Sequence, residues 1–260
     1  MLKKLLVFLM LAMLVACSSE DGTKKADAPK EAAAKKVISV ASDCTWPPME
    51  FVNKDKQIVG FSVDLMRAAA DAGGYEVDIK NVAWDGIFAG LAAGKYDCIC
   101  SSVTINEKRK KSMDFSTPYF EVKQAVVTNK DSDAKSLADF KGKPVGAQIG
   151  TTGYFAIKGI DGALAKSYDE IGLAMEDLYN GRIVAVVCDD PIAADFALQQ
   201  EEYSKKLKIA FTVKSDKPEY LGVAVNKNNK EVLDLINKGL AAVKKDGTYD
   251  KIKAKWFGSN

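Results

Sequence analysis

The chain contains no histidine. That absence removes the Ser-His-Asp and Cys-His routes to nucleophilic catalysis, and with them the usual zinc ligand. Cysteine is scarce, at positions 17, 44, 98, 100 and 188, with no paired C-x-x-C spacing to hold a metal. GxGxxG and GxxxxGK[ST] are both missing, so neither phosphate-cradling fingerprint is present. No apolar run approaches the roughly 20 residues that a membrane-spanning helix needs. An excess of one charge is lacking too. The formal net charge is +2, and the one dense basic run, Lys108-Arg109-Lys110-Lys111, is short. A nucleic-acid reader carries clustered positive charge, so no nucleic-acid partner is expected. No fixed-period repeat occurs, which excludes a solenoid.

What is present begins at the first residue. Lys3 and Lys4 precede an uncharged apolar stretch from Leu5 to Ala16, the layout of a secretory leader. The stretch ends Leu14-Val15-Ala16-Cys17, which resembles the bacterial lipobox, in which the cysteine is lipidated and becomes the mature N-terminus. Residues 1–17 are therefore expected to be a lipoprotein signal peptide, with Cys17 lipidated. An ordinary signal peptide with an incidental cysteine is the alternative. A lipid on Cys17 would hold the protein on a membrane surface, in the periplasm or outside the cell, without a spanning helix. From Ser18 to Lys36 the chain carries no aromatic and no β-branched apolar residue. Such a composition buries too little surface to order itself, so 18–36 reads as a flexible tether.

Export permits disulfides among the four remaining cysteines. Cys98 and Cys100 lie two apart in an apparent strand and so share one face, poorly placed to bridge each other. A bridge from Cys44 to one of them and four buried free thiols are both open readings.

From Val37 onward, strand and helix patterns alternate. Strands are expected at 37–41, 75–82, 97–103, 124–128, 144–149, 183–187, 206–211 and 221–225. Helices are expected at 61–72 (stopped by Gly73), 84–93, from Thr152, at 174–180, 191–199, 231–245 and 249–256. Alternation of this kind implies α/β layers.

Particular segments then carry a resemblance. Asp43-Cys44-Thr45-Trp46-Pro47-Pro48-Met49-Glu50-Phe51 followed by Gly60-Phe61-Ser62-Val63-Asp64-Leu65 looks like the opening of the polar amino-acid family of periplasmic solute-binding proteins. Ser101 to Arg109 and Asp114-Phe115-Ser116-Thr117-Pro118-Tyr119 resemble that family's most specific motif. Gly150-Thr151-Thr152, Asp189, Asp246-Gly247-Thr248-Tyr249 and Trp256-Phe257 match further points, in order, to the end of the chain. The resemblance implies a two-lobe periplasmic-binding-protein fold of type II, with a ligand cleft between lobes. Lobe 1 would be 37–123 and 222–260, and lobe 2 would be 124–221. It also implies a monomer, an amino-acid ligand, an ABC transporter permease as partner and no cofactor.

The residues so marked suit a free amino acid. Its carboxylate needs a fixed cation and N–H donors. Arg109 offers a planar fork, and the backbone of Thr104 and of Thr152, where a helix begins, offers amides. Its ammonium needs acceptors, which Asp189, the Thr104 hydroxyl and the Ser102 carbonyl supply. Arg109 and Asp189 fall in different lobes, so the zwitterion would couple binding to closure. Asp190 is the better placed cap for the helix at Pro191, which leaves Asp189 for the ligand.

The resemblance puts Asp43, Trp46 and Trp84 beside the ligand side chain, with Gln148 adding a polar contact. Aromatic faces and acids, Asp43 and Asp190, favour a basic amino acid: arginine, lysine, ornithine or histidine. A neutral polar ligand such as glutamine or cystine is the alternative. An enzyme similar to the cyclohexadienyl dehydratases and a sensor module are the competing classes. Gly153-Tyr154-Phe155 after the Gly-Thr-Thr loop adds no acid for general acid work, which counts against the enzyme.

Overall fold

A computed structural model describes residues 35–258. The leader, Cys17 and the tether up to residue 34 lie outside the described residues.

The β-branched run at Val37 opens β1 (Val37–Ser42). Three short strands, β2 (Thr45–Trp46), β3 (Glu50–Val52) and β4 (Ile58–Val59), form a small antiparallel sheet that the alternation pattern had not revealed. Helix α1 (Phe61–Gly73) follows. It ends one residue later than expected, because Gly74 and not Gly73 takes the left-handed conformation and donates back to the Ala70 and Asp71 carbonyls. Then come β5 (Glu76–Asn81), α2 (Ile87–Ala92) and β6 (Cys98–Ile99). The expected strand 97–103 stops early, since Ser102 adopts φ 46, outside any strand conformation. Next are α3 (Glu107–Lys110), β7 (Met113–Phe115), β8 (Phe120–Val122) and β9 (Gln124–Asn129).

The chain continues through β10 (Pro144–Gln148), α4 (Thr152–Lys158), β11 (Leu164–Tyr168), α5 (Ile171–Tyr179), β12 (Ala185–Asp189), α6 (Asp190–Ala194) and α7 (Glu201–Ser204). Residues 195–199 form a widened helical turn, so the expected helix 191–199 is not uniform. The chain closes with β13 (Leu207–Thr212), β14 (Glu219–Leu221), β15 (Ala224–Asn226), α8 (Lys230–Lys245) and α9 (Thr248–Phe257). The single strand expected at 221–225 is thus two strands in different sheets.

Two five-stranded sheets carry the fold, with orders β5-β1-β6-β15-β7 and β11-β10-β12-β9-β13. In each, three parallel strands are joined by antiparallel ones: β15 pairs antiparallel with β6 and β7, and β9 with β12 and β13. β8 and β14 pair antiparallel as a two-stranded ribbon. On one side of it the chain enters the second sheet at Gln124, and on the other it re-enters the first at Ala224.

Periodicity explains the helices on these sheets. On α8, Val232, Ile236, Leu240 and Val243 are buried at three- and four-residue spacing, each burial contributing about 1.5–3 kcal/mol. Gly239 lets α8 sit directly on α1, where any Cβ would collide with the Ala69 carbonyl. Cys98 and Cys100 face one core cluster and Ile99 another, as strand alternation requires.

The sheet orders also fix where a site belongs. In the first sheet the chain runs from β1 outward to β5 and then to β6 on the opposite side; β10, β11 and β12 repeat this in the second. Ligands of open α/β sheets bind beyond the carboxyl ends of strands at such switch points. Asp43 follows β1, Ser101 and Ser102 follow β6, Gln148 ends β10 and Asp189 ends β12.

Candidate functional site

These strand ends open on one partly enclosed cleft, whose roughly 360 Å³ of non-atom space includes open solvent at its mouth. Asp43, Trp46, Trp84, Ser102, Thr104, Arg109, Gln148, Thr152 and Asp189 all line it. Ser101, Gln124, Thr151 and Cys188 line it as well.

Arg109 sits on the four-residue α3, whose first turn is capped by the Asn106 side chain accepting the Arg109 N–H at 2.9 Å. Its guanidinium donates to the Thr104 carbonyl at 2.8 Å and to the Gly150 carbonyl of the other lobe at 3.4 Å. The rings of Trp84 and Phe88 lie 5.6 and 5.1 Å from its Cζ. Burial lowers its pKa to about 10, against the opposing pull of Asp189 and Glu219, so it stays cationic at neutral pH.

Thr104 is fixed by flanking backbone bonds, Ile105 N–H to the Tyr220 carbonyl and Gly222 N–H to the Val103 carbonyl. Thr152 opens α4, where the Thr151 hydroxyl caps by accepting the Tyr154 N–H at 3.2 Å. A Cβ on Gly153 would come within 2.7 Å of the Val187 carbonyl, so glycine there lets α4 approach β12.

Asp189 is buried, and its side chain caps nothing. Its Oδ1 accepts from Gln124 Nε2 at 2.6 Å. Desolvation pushes its pKa up to about 7, with the Gln124 bond opposing that rise most strongly and Arg109 also pulling it down. No ion pair joins Asp189 to Arg109 among the described residues.

Asp190 departs from both expectations placed on it. Its Oδ1 accepts the Lys123 N–H at 2.9 Å, so it grips the start of β9 rather than capping α6 with its side chain. It is also absent from the cavity lining.

Asp43 closes the other end. Its Oδ1 accepts from the Thr45 hydroxyl at 2.9 Å and its Oδ2 from Gln148 Nε2 at 2.7 Å, the latter from the opposite lobe. Burial raises its pKa, and these two bonds oppose the rise. Trp84 Nε1 donates to the Ile149 carbonyl at 2.8 Å, a third cross-lobe bond after Arg109–Gly150 and Gln148–Asp43.

Sequence reasoning missed Gln124 and Glu219. The two N–H groups of Gln124 Nε2 are shared among Thr152 Oγ1, Asp189 Oδ1 and Glu219 Oε2, at 3.0, 2.6 and 3.1 Å, tying both crossing segments to the cavity. A lone polar residue heading the apolar run Ala125-Val126-Val127 was the signal available for it. Glu219 carried no such signal. The four described cysteines are free and buried, which settles the open disulfide question.

Two α/β lobes enclosing a cavity at paired switch points define a two-lobe periplasmic-binding-protein fold of type II. Residues 38–259 match the model of the bacterial extracellular solute-binding proteins, family 3, and the chain belongs to that family. It is 34% identical over 260 residues to a probable histidine-binding protein of Neisseria gonorrhoeae, covering 98% of this chain and 96% of that one. It is 36% identical over 231 residues to ABC transporter arginine-binding protein 1 of Escherichia coli (strain K12), covering 87% and 93%. Among solved structures, an ancestral arginine-binding protein bound to arginine is similar, with TM-score 0.80, 41% identity and coverage of 86% and 99%. The curated relatives that the chain matches are solute-binding proteins and not enzymes.

Proposed function

We propose that the protein captures a free L-amino acid with a basic side chain between its lobes and delivers it to the permease of an ABC importer. One observation carries the reading: Arg109 of the first lobe and Asp189 of the second line one cavity without pairing to each other. A buried charge without a counter-charge is costly, and a zwitterion supplies both missing partners at once. The Arg109 fork takes the carboxylate, with the backbone of Thr104 and Thr152 assisting. Asp189, the Thr104 hydroxyl and the Ser102 carbonyl take the ammonium. Asp43, Gln148, Trp46 and Trp84 receive the side chain, and the named relatives that bind histidine or arginine agree with a basic one.

A neutral polar ligand is the second reading. It is favoured by Asp43, whose two oxygens already accept from Thr45 and Gln148. In either case Cys17 carries the lipid anchor, residues 18–36 are the tether, and the lobes divide at 123/124 and 221/222. The protein acts as a monomer.

The test is a thermal-shift screen of refolded protein, produced without the leader, against all protein amino acids, ornithine and cystine. A ligand at a hundredfold its Kd adds about 2.7 kcal/mol, roughly 5–11 °C for a chain of this size. Shifts confined to arginine, lysine, ornithine or histidine are expected. A shift with glutamine or cystine alone would transfer the assignment to the second reading, and none with any of them would overturn both.

A further inference from the structure

Beneath the cavity lies a carboxyl group that the binding scheme does not use. Glu50 on β3 has no exposed surface, and neither of its oxygens has a hydrogen-bond partner. Among the described residues it forms no ion pair. The hydroxyls of Ser102 and Ser62 face it without closing a bond of ordinary geometry, and Ser102 Oγ is likewise buried without a partner. Its other titratable neighbours are Asp43, Asp189, Cys44, Cys100 and Tyr119. None of these brings positive charge.

Two features give this cluster a bearing on the ligand. Ser102 lines the cavity and is held at φ 46, a left-handed conformation that a serine adopts only when its surroundings impose it. Trp46, another cavity residue, stands directly opposite Glu50 in the β2–β3 register, so the two side chains leave the hairpin on one face. The Trp46 indole N–H is also buried without a partner. Glu50 therefore stands between the floor and one wall of the cavity and touches neither the cavity nor solvent.

We propose that Glu50 is a positioning residue held as the neutral acid, whose carboxyl O–H donates to the Ser102 hydroxyl and so fixes the left-handed turn that aims the Ser102 carbonyl at the ligand ammonium. A buried carboxylate faced only by two hydroxyls that close no bond of ordinary geometry is strongly disfavoured, whereas the acid brings a donor to an orphaned acceptor. Burial and the nearby acids Asp43 and Asp189 push its pKa well above the ordinary carboxylate range. A neutral floor also keeps a further negative charge away from a site that must release its ligand. This inference rests on the amino-acid reading of the cavity.

Infrared difference spectra of wild type against Glu50→Gln, taken without ligand at neutral pH, read the first half. A carboxylic-acid C=O band present only in wild type is expected, and a carboxylate band in its place would overturn the proposal. Arginine titration by calorimetry across about pH 6–9 reads the second half. Glu50→Gln, whose amide can donate as the acid does, should keep the wild-type affinity and pH profile within about threefold. Glu50→Met, of similar length but unable to donate, should bind about tenfold or more weakly. A large loss in Glu50→Gln would mean that the charge is required, and wild-type affinity in Glu50→Met would mean that Glu50 only fills space; either overturns the positioning role. Should Glu50→Met fail to fold, Glu50→Gln and the infrared band decide. If wild type binds no amino acid, that failure belongs to the proposed function, and the infrared band alone decides the state of Glu50.

Discussion

Gln148, the last residue of β10 in one lobe, donates to the Asp43 carboxylate of the other at 2.7 Å. The same Nε2 also reaches the Asp169 carbonyl at 2.7 Å. Asp43 is thus clamped between lobes, with each oxygen already holding one donor and free to accept another. This makes Asp43 the group on which selectivity turns. Asp43→Asn should weaken arginine binding by about 10- to 150-fold, the worth of a charge-assisted bond. Affinity for any neutral ligand should change by less than about threefold. Calorimetric titration of both ligand types checks this, and equal losses for both would show that Asp43 serves closure and not selectivity.

The planar fork of Arg109 reaches carbonyls of both lobes while lying over the rings of Trp84 and Phe88, which pack edge-to-face with each other. Lysine supplies the charge but neither the fork nor its flat face over the rings. Arg109→Lys should cost about 1.5–3 kcal/mol of binding, or roughly 10- to 150-fold in Kd, with every ligand affected alike. A loss restricted to one ligand would contradict a role at the shared carboxylate.

Asp189 gives the binding curve a pH dependence with a definite sign. Its pKa stands at about 7 in the free protein, and an ammonium partner requires the ionised form. Binding therefore releases a proton below that value, and affinity falls as the solution is acidified. Between about pH 8 and about pH 5.5 the ionised fraction drops about 30-fold, and Kd should rise by that factor. Calorimetry in buffers of different ionisation enthalpy would count the proton directly. A pH-independent Kd would remove Asp189 from the ammonium site.

The same residue predicts an opposite effect on the unliganded fold. A buried acid with a raised pKa keeps its proton where the unfolded chain has lost it, so its penalty grows as pH rises from the unfolded value of about 4 to about 7 and stays constant above that. Asp189→Asn should thus stabilise the free protein at alkaline pH by about 1–4 kcal/mol, fading toward acid pH, while abolishing ligand binding. Denaturant midpoints at two pH values measure it.

Trp84 Nε1 bonds the Ile149 carbonyl across the cleft. Trp84→Phe keeps an aromatic face and deletes that bond, about 0.5–1.5 kcal/mol. Ligand affinity should fall about 2- to 12-fold. Small-angle scattering of the free variant should show a larger radius of gyration than wild type.

Several elements could be read before any tertiary contact was known. Helix α8 announced itself by Val232, Ile236, Leu240 and Val243, and β9 and β12 by their continuous apolar runs, because burial on one or both faces imposes those periods locally. The short strands β2, β3, β4, β7 and β8 carry two or three residues each. No period can be established over so few positions, so they exist only because neighbouring strands pair with them. The nine expected site residues line one cavity, yet their roles there remain those of the proposal.

What the sequence determined by itself was the chemical vocabulary: an α/β alternation, no histidine for catalysis, one placed arginine, and acids and tryptophans at strand ends. What the tertiary structure decided was which of these groups meet. Asp190 turned to the Lys123 backbone instead of the cavity, Gln124 became the hub of Asp189, Thr152 and Glu219, and Glu50 was sealed beneath Ser102. Gln124 lies 65 and 95 residues from Asp189 and Glu219. Partners that far apart are joined by sheet order and lobe closure, and no local pattern in the chain encodes such a meeting.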